Sequence, residues 1–518
     1  MTESSRTSKS RLNARVSLVF YFIQIILGFF SRKAFFDYLG SEVLGLNTTA
    51  TNLIGFLNLA ELGVSSSVAF FLYKPLFDDD RDSMNKIISI QGWLYRMIAF
   101  FIIGVACILM LFFPLIFAKS PLPLWYAYST FGVLLFSAML GYFFNYRQIL
   151  LTANQKNYVV QRVTQGLIII KVILQILAIS YLSNPFIWWL VLEFGFAIIT
   201  CILLDRAIKK TYPWLKTEIS KGKEYVKEFP DVIKKTKQVF VHKLSAVVLQ
   251  QSSPLIVYAF TSLTIVAYYG NYILIIGKLS QLISTVFNST GAAVGNLVAS
   301  NDEKRKIKVF WELFESRLCI SVIALICAYH LTNPFISIWL GEEYLLSSQF
   351  ILLFVIMQGI LMTRTTVDSF INAHGLYQDI YAPLAEASLN ILLSICFGAL
   401  WGLEGIILGI TISMVMVVEM WKPYFLFTRG LKVPPKYYFI TIIKNIFLIV
   451  IVSLLVSFLV KWLPCYNNRS QNYLIWGLFS IEVLALSSIL LSVCFYIFTE
   501  GFRDFINRFR RLIFKRVS

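Results

Sequence analysis

Charge is what this sequence has least of. Asp, Glu, Lys and Arg make up 14% of 518 residues, where a soluble globular chain carries about a quarter. Acids are scarcer than bases, 28 against 46. Histidine is nearly missing, with three residues. Of the seven cysteines, Cys107, Cys201, Cys319, Cys327, Cys396 and Cys494 sit inside apolar runs and only Cys465 in a loop. Without CxxC or ligand spacing they support neither a disulfide framework nor a metal site. No Gly-rich phosphate loop, zinc motif or nucleophile elbow occurs. These absences exclude a soluble domain and the common catalytic centres.

What fills the chain instead is apolar sequence, 58% of it. Runs of about 20 residues, enough to cross a hydrocarbon core, recur throughout. They are too long and unbroken for barrel strands of about ten alternating residues. The fold class is therefore an all-α polytopic membrane protein. Fourteen spans are expected, at 16–36, 43–73, 87–118, 124–151, 158–182, 184–204, 239–260, 263–299, 313–341, 348–372, 380–401, 404–428, 437–460 and 473–498. With the N-terminus inside, cytoplasmic segments carry 34 Lys and Arg and the outer loops 5. That asymmetry places both termini in the cytoplasm. It also accounts for the net charge of +18 without nucleic acid as a partner. The basic start, SRTSKSRLNAR, precedes a run ending in Arg32-Lys33 with no cleavage site, so the first helix is expected to be retained.

The longest and most basic loop, 205–243, allows two readings. Tyr225, Phe229, Val232 and Ile233 suit an amphipathic helix on the inner leaflet, or the segment is a solvated connector. It divides a duplication. LLTANQKNY at 150–158 matches FINAHGLY at 370–377, Pro114 matches Pro334 at the end of each third helix, and Asn47 matches Asn271. The offsets are 220, 220 and 224 residues. Parallel six-helix repeats with a site at their interface follow. The expected organisation is a first half at 1–204, a connector at 205–238, a second half at 239–428, and two further helices with a basic tail at 429–518.

A carboxylate at bilayer depth must be neutral, paired or facing water. Glu61 lies in LNLAELGVSSSVAFFLYKP, and Asn47, Thr51, Gly55, Asn58, Glu61 and Ser65 fall on one face of a continuous helix. The repeat counterpart carries Asn271, Lys278, Gln281 and Thr285. Two polar faces, chemically unlike, could line a shared cavity. Lys171, Lys278 and Arg364 are deep cations and candidates for an anionic cargo, and Glu193 and Glu419 are further deep acids. Glu482, in an appended helix, is expected to be structural. Arg96, Arg317, Lys422 and Lys444 lie near cytoplasmic ends, where snorkelling is the expectation. Arg32 and Lys33 break the positive-inside rule. They mark either an anion near an outer mouth or anchoring beside Phe35, Phe36 and Tyr38.

His374 and Asp379 have the H-x₄-D spacing of membrane acyltransferases, but the repeat equivalent NQKNYV has no histidine, so chance spacing is preferred. The sequons at Asn47 and Asn288 lie in or beside spans and are read, with Asn468, as accidental.

The stretch around Glu61, followed by DDDRDSMNK and a helix opening IISIQGWLYR, resembles the second-helix region of Wzx-type oligosaccharide-lipid flippases. These belong to the multidrug/oligosaccharidyl-lipid/polysaccharide exporter superfamily. YLGSEVLGLNTTATNLIGFLNL and LTANQKNYVVQRV are similar too, and the likeness runs along essentially the whole chain. It implies a transporter for O-antigen or related surface polysaccharide biosynthesis in a bacterial inner membrane. Its substrate would be an oligosaccharide on a polyprenyl diphosphate, moved outward by alternating access. Lys171, Lys278 and Arg364 would then meet the diphosphate, with Arg32 and Lys33 near the exit, and Asn271, Gln281 and Tyr268, Tyr269 and Tyr272 near the sugars. Glu61 would pair with a cavity cation or carry a coupling proton or sodium ion; no other cofactor is implied. Membrane lipids, a polysaccharide polymerase and assembly proteins are the expected partners. Three alternatives stay open: a cation-coupled drug or metabolite exporter on the same scaffold, a flippase for the peptidoglycan precursor, and a membrane glycan-assembly enzyme.

Overall fold

The structure is a computed structural model that describes residues 3–61, 63–288, 291–298, 302–376 and 381–514. Side chains are described outside 3–14, 18, 238–239, 241–250, 286, 288, 291–293, 296, 509 and 512–514. Among the described residues there is no strand. The chain divides into two compact units, Met1–Ala267 and Tyr268–Ser518. The expected connector, 205–238, thus lies inside the first.

The first unit begins with α1 (Glu3–Tyr38), α2 (Gly40–Leu57), α3 (Val64–Asp78) and α4 (Arg81–Leu111). It continues with α5 (Leu124–Phe143), α6 (Asn157–Tyr181), α7 (Pro185–Thr211), the short α8 (Gly222–Glu228) and α9 (Asp231–Phe260), and ends within α10 (Leu263–Tyr272). The single span expected at 43–73 is broken. α2 passes into a 3₁₀ turn at Asn58–Glu61, and α3 starts after Gly63 at an angle of 44°. Gly63 has φ of +94°, a left-handed conformation that side chains with a Cβ resist. The polar stripe through Asn47, Gly55 and Glu61 therefore does not continue as one helix face to Ser65. α2 also lies very close to α10: a Cβ on Gly45 would come 1.9 Å from the Leu263 carbonyl oxygen.

The core of this unit is built where α3, α4 and α7 meet the 205–243 segment. Val68, Leu72, Ile88, Leu204, Ile208 and Val232 are all buried there. The Lys216 N–H donates to Asn85 (3.0 Å), the Glu218 N–H to Ser89 (2.9 Å), and Gly222 lies against Trp93. Tyr225 and Phe229 pack onto the same cluster. Of the two readings of this loop, the leaflet-lying helix is corrected: its apolar side chains fill protein, because α4 offers the acceptors and apolar surface they need.

The second unit contains α11 (Lys278–Asn288), α12 (Gly291–Val298), α13 (Glu303–Trp339), α14 (Ser348–Ala373), α15 (Tyr381–Met414), α16 (Lys436–Val460), α17 (Tyr473–Phe498) and α18 (Glu500–Phe514). A π-helical turn, Ile273–Gly277, joins α10 to α11 and shifts the register of Asn271 against Lys278. α13 continues past Pro334 to Trp339, so that proline does not end its helix as expected. α15 folds back on itself at Trp401-Gly402, where Gly402 takes φ of +59°. The arms run so close that a Cβ on Gly405 would lie 2.0 Å from the Phe397 carbonyl oxygen. Ser394 donates to the Ile406 carbonyl across the same seam, at 3.4 Å.

Among the described residues, eleven helices are long and apolar enough to cross a membrane, or twelve if α2 and α3 form one broken span. One of the eleven, Tyr381–Gly430, includes the α15 hairpin and so holds two of the expected spans. The one at 239–260 lies within α9, over residues whose side chains are largely undescribed. Large apolar side chains cover the outside of both units, among them Phe100, Leu177, Phe447, Leu454 and Ile481. This is the surface of a multi-pass membrane protein.

Local structure repeats at the expected offset. Near Ala153 the N–H groups of Asn154, Gln155 and Lys156 donate to Leu150 (3.0 Å), Thr152 (3.1 Å) and Leu151 (2.7 Å). Near Ala373, His374, Gly375 and Leu376 donate to Phe370 (3.0 Å), Asn372 (3.1 Å) and Ile371 (3.1 Å). Gln155 and Gly375 both have positive φ, 56° and 67°. Both ends are the same helix-terminating motif. Asp80 caps α4 through the Ser83 N–H and Asp302 caps α13 through the Arg305 N–H, each at 3.0 Å.

Candidate functional site

Glu61 sits at the break between α2 and α3 and receives hydroxyls, not a cation. Ser65 donates to Oε1 at 2.6 Å, Tyr95 of α4 to the same oxygen at 2.5 Å, and Tyr142 of α5 reaches Oε2 at 3.4 Å. Tyr142 also donates to Asn58 Oδ1 at 2.9 Å, and the two tyrosine rings meet edge-on at 5.2 Å. No ion pair to Glu61 occurs among the described residues. Three donors satisfy the carboxylate without water. The carboxylate, surrounded by hydroxyls and Asn58, is the group of this cluster that could take up a proton. Ser65 follows from helical spacing, but Tyr95 and Tyr142 carry no signal separating them from other aromatics in apolar runs.

Lys171 and Glu193, on α6 and α7, pair with each other at 2.7 Å, and Gln175 donates to the second carboxylate oxygen at 3.0 Å. They line a cavity of about 290 Å³ with Thr164, Asn145 and Ser137. Lys171 is thus compensated within its own unit. Arg32 is held by the Ala267 carbonyl at 2.6 Å, while Lys33 is exposed and paired with Asp37 at 3.4 Å.

The second unit gathers most of the remaining candidates. A polar cavity of about 410 Å³ is lined by Gln281, Gln358, Arg364, Thr365, Asp368 and Asn372, among others. Arg364 spans Asp368 (2.8 Å) and the almost fully buried Glu386 (3.0 Å). Lys422 reaches the other Asp368 oxygen at 2.9 Å. Two cations and two carboxylates therefore interlock beside the cavity. Glu419 adjoins them, accepting from Thr363 at 3.2 Å and Tyr438 at 3.5 Å. Lys278 donates to Gln281 at 3.2 Å, and Asn271 is fully buried. Tyr269 and Tyr272 are likewise buried, Tyr272 donating to Asn333 at 2.6 Å. Glu386 escapes sequence reading because its partner Arg364 lies on another helix, whereas Asp368 stands four residues after Arg364 and could have been found from helical spacing.

Two expected snorkellers stay inside. Lys422 is in the ion network, and Arg317 is 3% exposed, donating to Thr366 (2.9 Å) and the Phe287 carbonyl (2.8 Å) over the Phe287 ring. Protein acceptors replace the interface each would otherwise reach. Glu482 accepts from the Cys465 N–H at 3.3 Å, a structural contact. His374 engages the Phe370 carbonyl through Nδ1 (2.9 Å), while Asp379 lies outside the described residues.

No protein-family model matches the chain, and no curated protein matches it. Solved structures do. The lipid II flippase MurJ in an inward closed conformation aligns with a TM-score of 0.62 at 18% identity, over 94% of this chain and 99% of that one. An inward-facing multidrug resistance transporter of the MATE family, in the MOP superfamily, aligns with a TM-score of 0.57 at 12% identity, over 79% of this chain and 97% of that one. At these identities the likeness is one of fold.

Proposed function

We propose that this protein is a flippase that carries an oligosaccharide on a polyprenyl diphosphate from the inner to the outer leaflet of a bacterial cytoplasmic membrane, by alternating access, for surface polysaccharide assembly. The observation that carries it is the polar cavity of the second unit, where Arg364 stands among amides and hydroxyls. The fold likeness to a lipid II flippase along nearly the whole chain supports it.

The chemistry is exchange of partners. At rest Arg364 is neutralised by Asp368 and Glu386, and Lys422 holds Asp368. A diphosphate offers the guanidinium a bidentate acceptor of higher charge. Taking Arg364 from its carboxylates releases those helices to rearrange, so cargo binding and conformational change share one set of ion pairs. Gln281, Gln358 and Asn372 supply donors and acceptors for sugar hydroxyls. Glu61, with hydroxyl donors and no cation, is the coupling group for a proton or sodium ion. Both termini would lie in the cytoplasm, a reading supported by the bias of basic residues, and a polymerase would draw on the product outside.

The test is reconstitution into liposomes with a fluorescent polyprenyl-diphosphate oligosaccharide, following its exposure to an external glycosidase. Flipping above empty liposomes is expected, lost in Arg364→Gln and partly kept in Arg364→Lys. Ion-coupled drug flux with no flipping of any glycan would replace this function with the exporter, to which the MATE-like fold also corresponds.

A further inference from the structure

A second cavity in the second unit, about 860 Å³, shares no lining residue with the polar cavity of Arg364. It is a groove between α13, α14 and α16. Its floor is buried and aliphatic, with Val322, Leu325, Ile326 and Ile351. Its rim is open, since Leu352, Val450 and Leu454 line it and are exposed on the apolar outside of the unit. In a membrane such a groove opens sideways onto acyl chains.

Its chemistry changes along its length. The Val322 end, facing Ile449 and Val450, is aliphatic. Two turns on, His330 meets Ser457 at 3.2 Å. The far end carries Asn333, Lys461 and Arg469. Arg469 is fixed with its guanidinium 4.0 Å over the Tyr466 ring, donating to the Tyr466 carbonyl at 2.6 Å. Neither Lys461 nor Arg469 forms an ion pair among the described residues, unlike Lys171, Arg364 and Lys422. From Val322 to Pro334 the helical rise gives a groove about 18 Å long. That is close to one leaflet's share of a hydrocarbon core about 30 Å thick.

We infer that this groove holds a resident anionic phospholipid of the outer leaflet. Its acyl chain lies along α13 and its phosphate is bound by Lys461 and Arg469. One apolar groove of single-leaflet depth, closed by two uncompensated cations, is complementary to such a molecule and to neither a sugar nor a soluble anion. The inference stands apart from the transported cargo, because the two cavities are separate.

Native mass spectrometry of the full-length protein, delipidated in mild detergent and then given phosphatidylglycerol or phosphatidylcholine with matched chains, tests it. One phosphatidylglycerol is expected to bind about tenfold tighter than phosphatidylcholine, the size of effect one charge-assisted contact provides. Lys461→Gln with Arg469→Gln should remove that preference, and Ser453→Trp, which fills the groove, should remove both lipids. Lys461 is exposed, so Lys461→Gln alone leaves the fold intact and should weaken the preference by itself. Equal binding of both lipids, a preference untouched by these variants, or displacement of phosphatidylglycerol by equimolar polyprenyl phosphate would each overturn it.

Discussion

At the scale of single residues, two partly buried acids are satisfied in opposite ways. Glu61 is held by hydroxyls, and Glu193 by a lysine and an amide. Hydrogen bonds to a charged group are worth about 1.5–3 kcal/mol each. Tyr95→Phe, which removes the donor at 2.5 Å, should therefore lower unfolding stability by about 2 kcal/mol. Tyr142→Phe, whose donor stands at 3.4 Å, should cost less, and thermal unfolding in one detergent compares them. For the ion pair, Lys171→Met strands Glu193 and should cost about 3–5 kcal/mol, while Lys171→Met with Glu193→Gln should recover most of it. A non-additive cycle in the same unfolding assay is the expected result. It also warns against neutralising Lys171, Lys278 and Arg364 together as a test of cargo binding, since loss of the first would act through stability. Glu61, Lys171, Glu193, Arg364 and Glu419 were legible from sequence because a charge stands out in an apolar run. Tyr95, Tyr142 and Glu386 were not, because their roles depend on tertiary pairing, which local spacing does not encode; Asp368, four residues after Arg364 on one helix, was within reach of helical spacing and was missed.

At the scale of elements, glycines decide where apolar runs bend. The sequence showed separate runs on either side of Trp401-Gly402, and the hairpin there agrees with them. It showed one run across Gly63, where the backbone turns by 44°. Hydropathy is blind to that difference, because a single left-handed residue changes direction without changing polarity. The α15 hairpin depends on close approach at Gly405, where a Cβ would fall 2.0 Å from a carbonyl oxygen. Gly405→Leu must part the arms and should abolish a stable fold, whereas Gly402→Ala, at φ +59° and ψ −131° where glycine alone sits without strain, should cost about 1–3 kcal/mol. Yield of monodisperse protein on size exclusion separates the two. The last helix is tied by its start. Glu315 accepts from the N–H groups of Gly501 (2.7 Å) and Phe502 (3.2 Å), while Arg508 and Asp504 pair with Glu312 and Lys308. Glu315→Ala removes the cap from α18, and limited proteolysis should then cut after Thr499 while the remaining chain stays resistant.

At the scale of the whole molecule, the strongest organising signal is the placement of basic residues, 34 in alternate segments assigned inside and 5 in those assigned outside. Each Lys or Arg left on the wrong side resists insertion, so the bias acts collectively and is hard to reverse by one substitution. The structure makes the orientation testable at two points. The segment 212–228 packs on the start of α4 through Ser89 and Trp93, so its exposed face belongs to the same side as that helix end. The loop 461–472 joins α16 to α17 at their far ends and carries Lys461 and Arg469. A single cysteine introduced as Ser220→Cys into a cysteine-free background should be blocked by a membrane-impermeant thiol reagent only in inverted vesicles. Ser470→Cys should be blocked only in right-side-out vesicles. Labelling of both positions from one side would mean an odd change in the number of crossings between them.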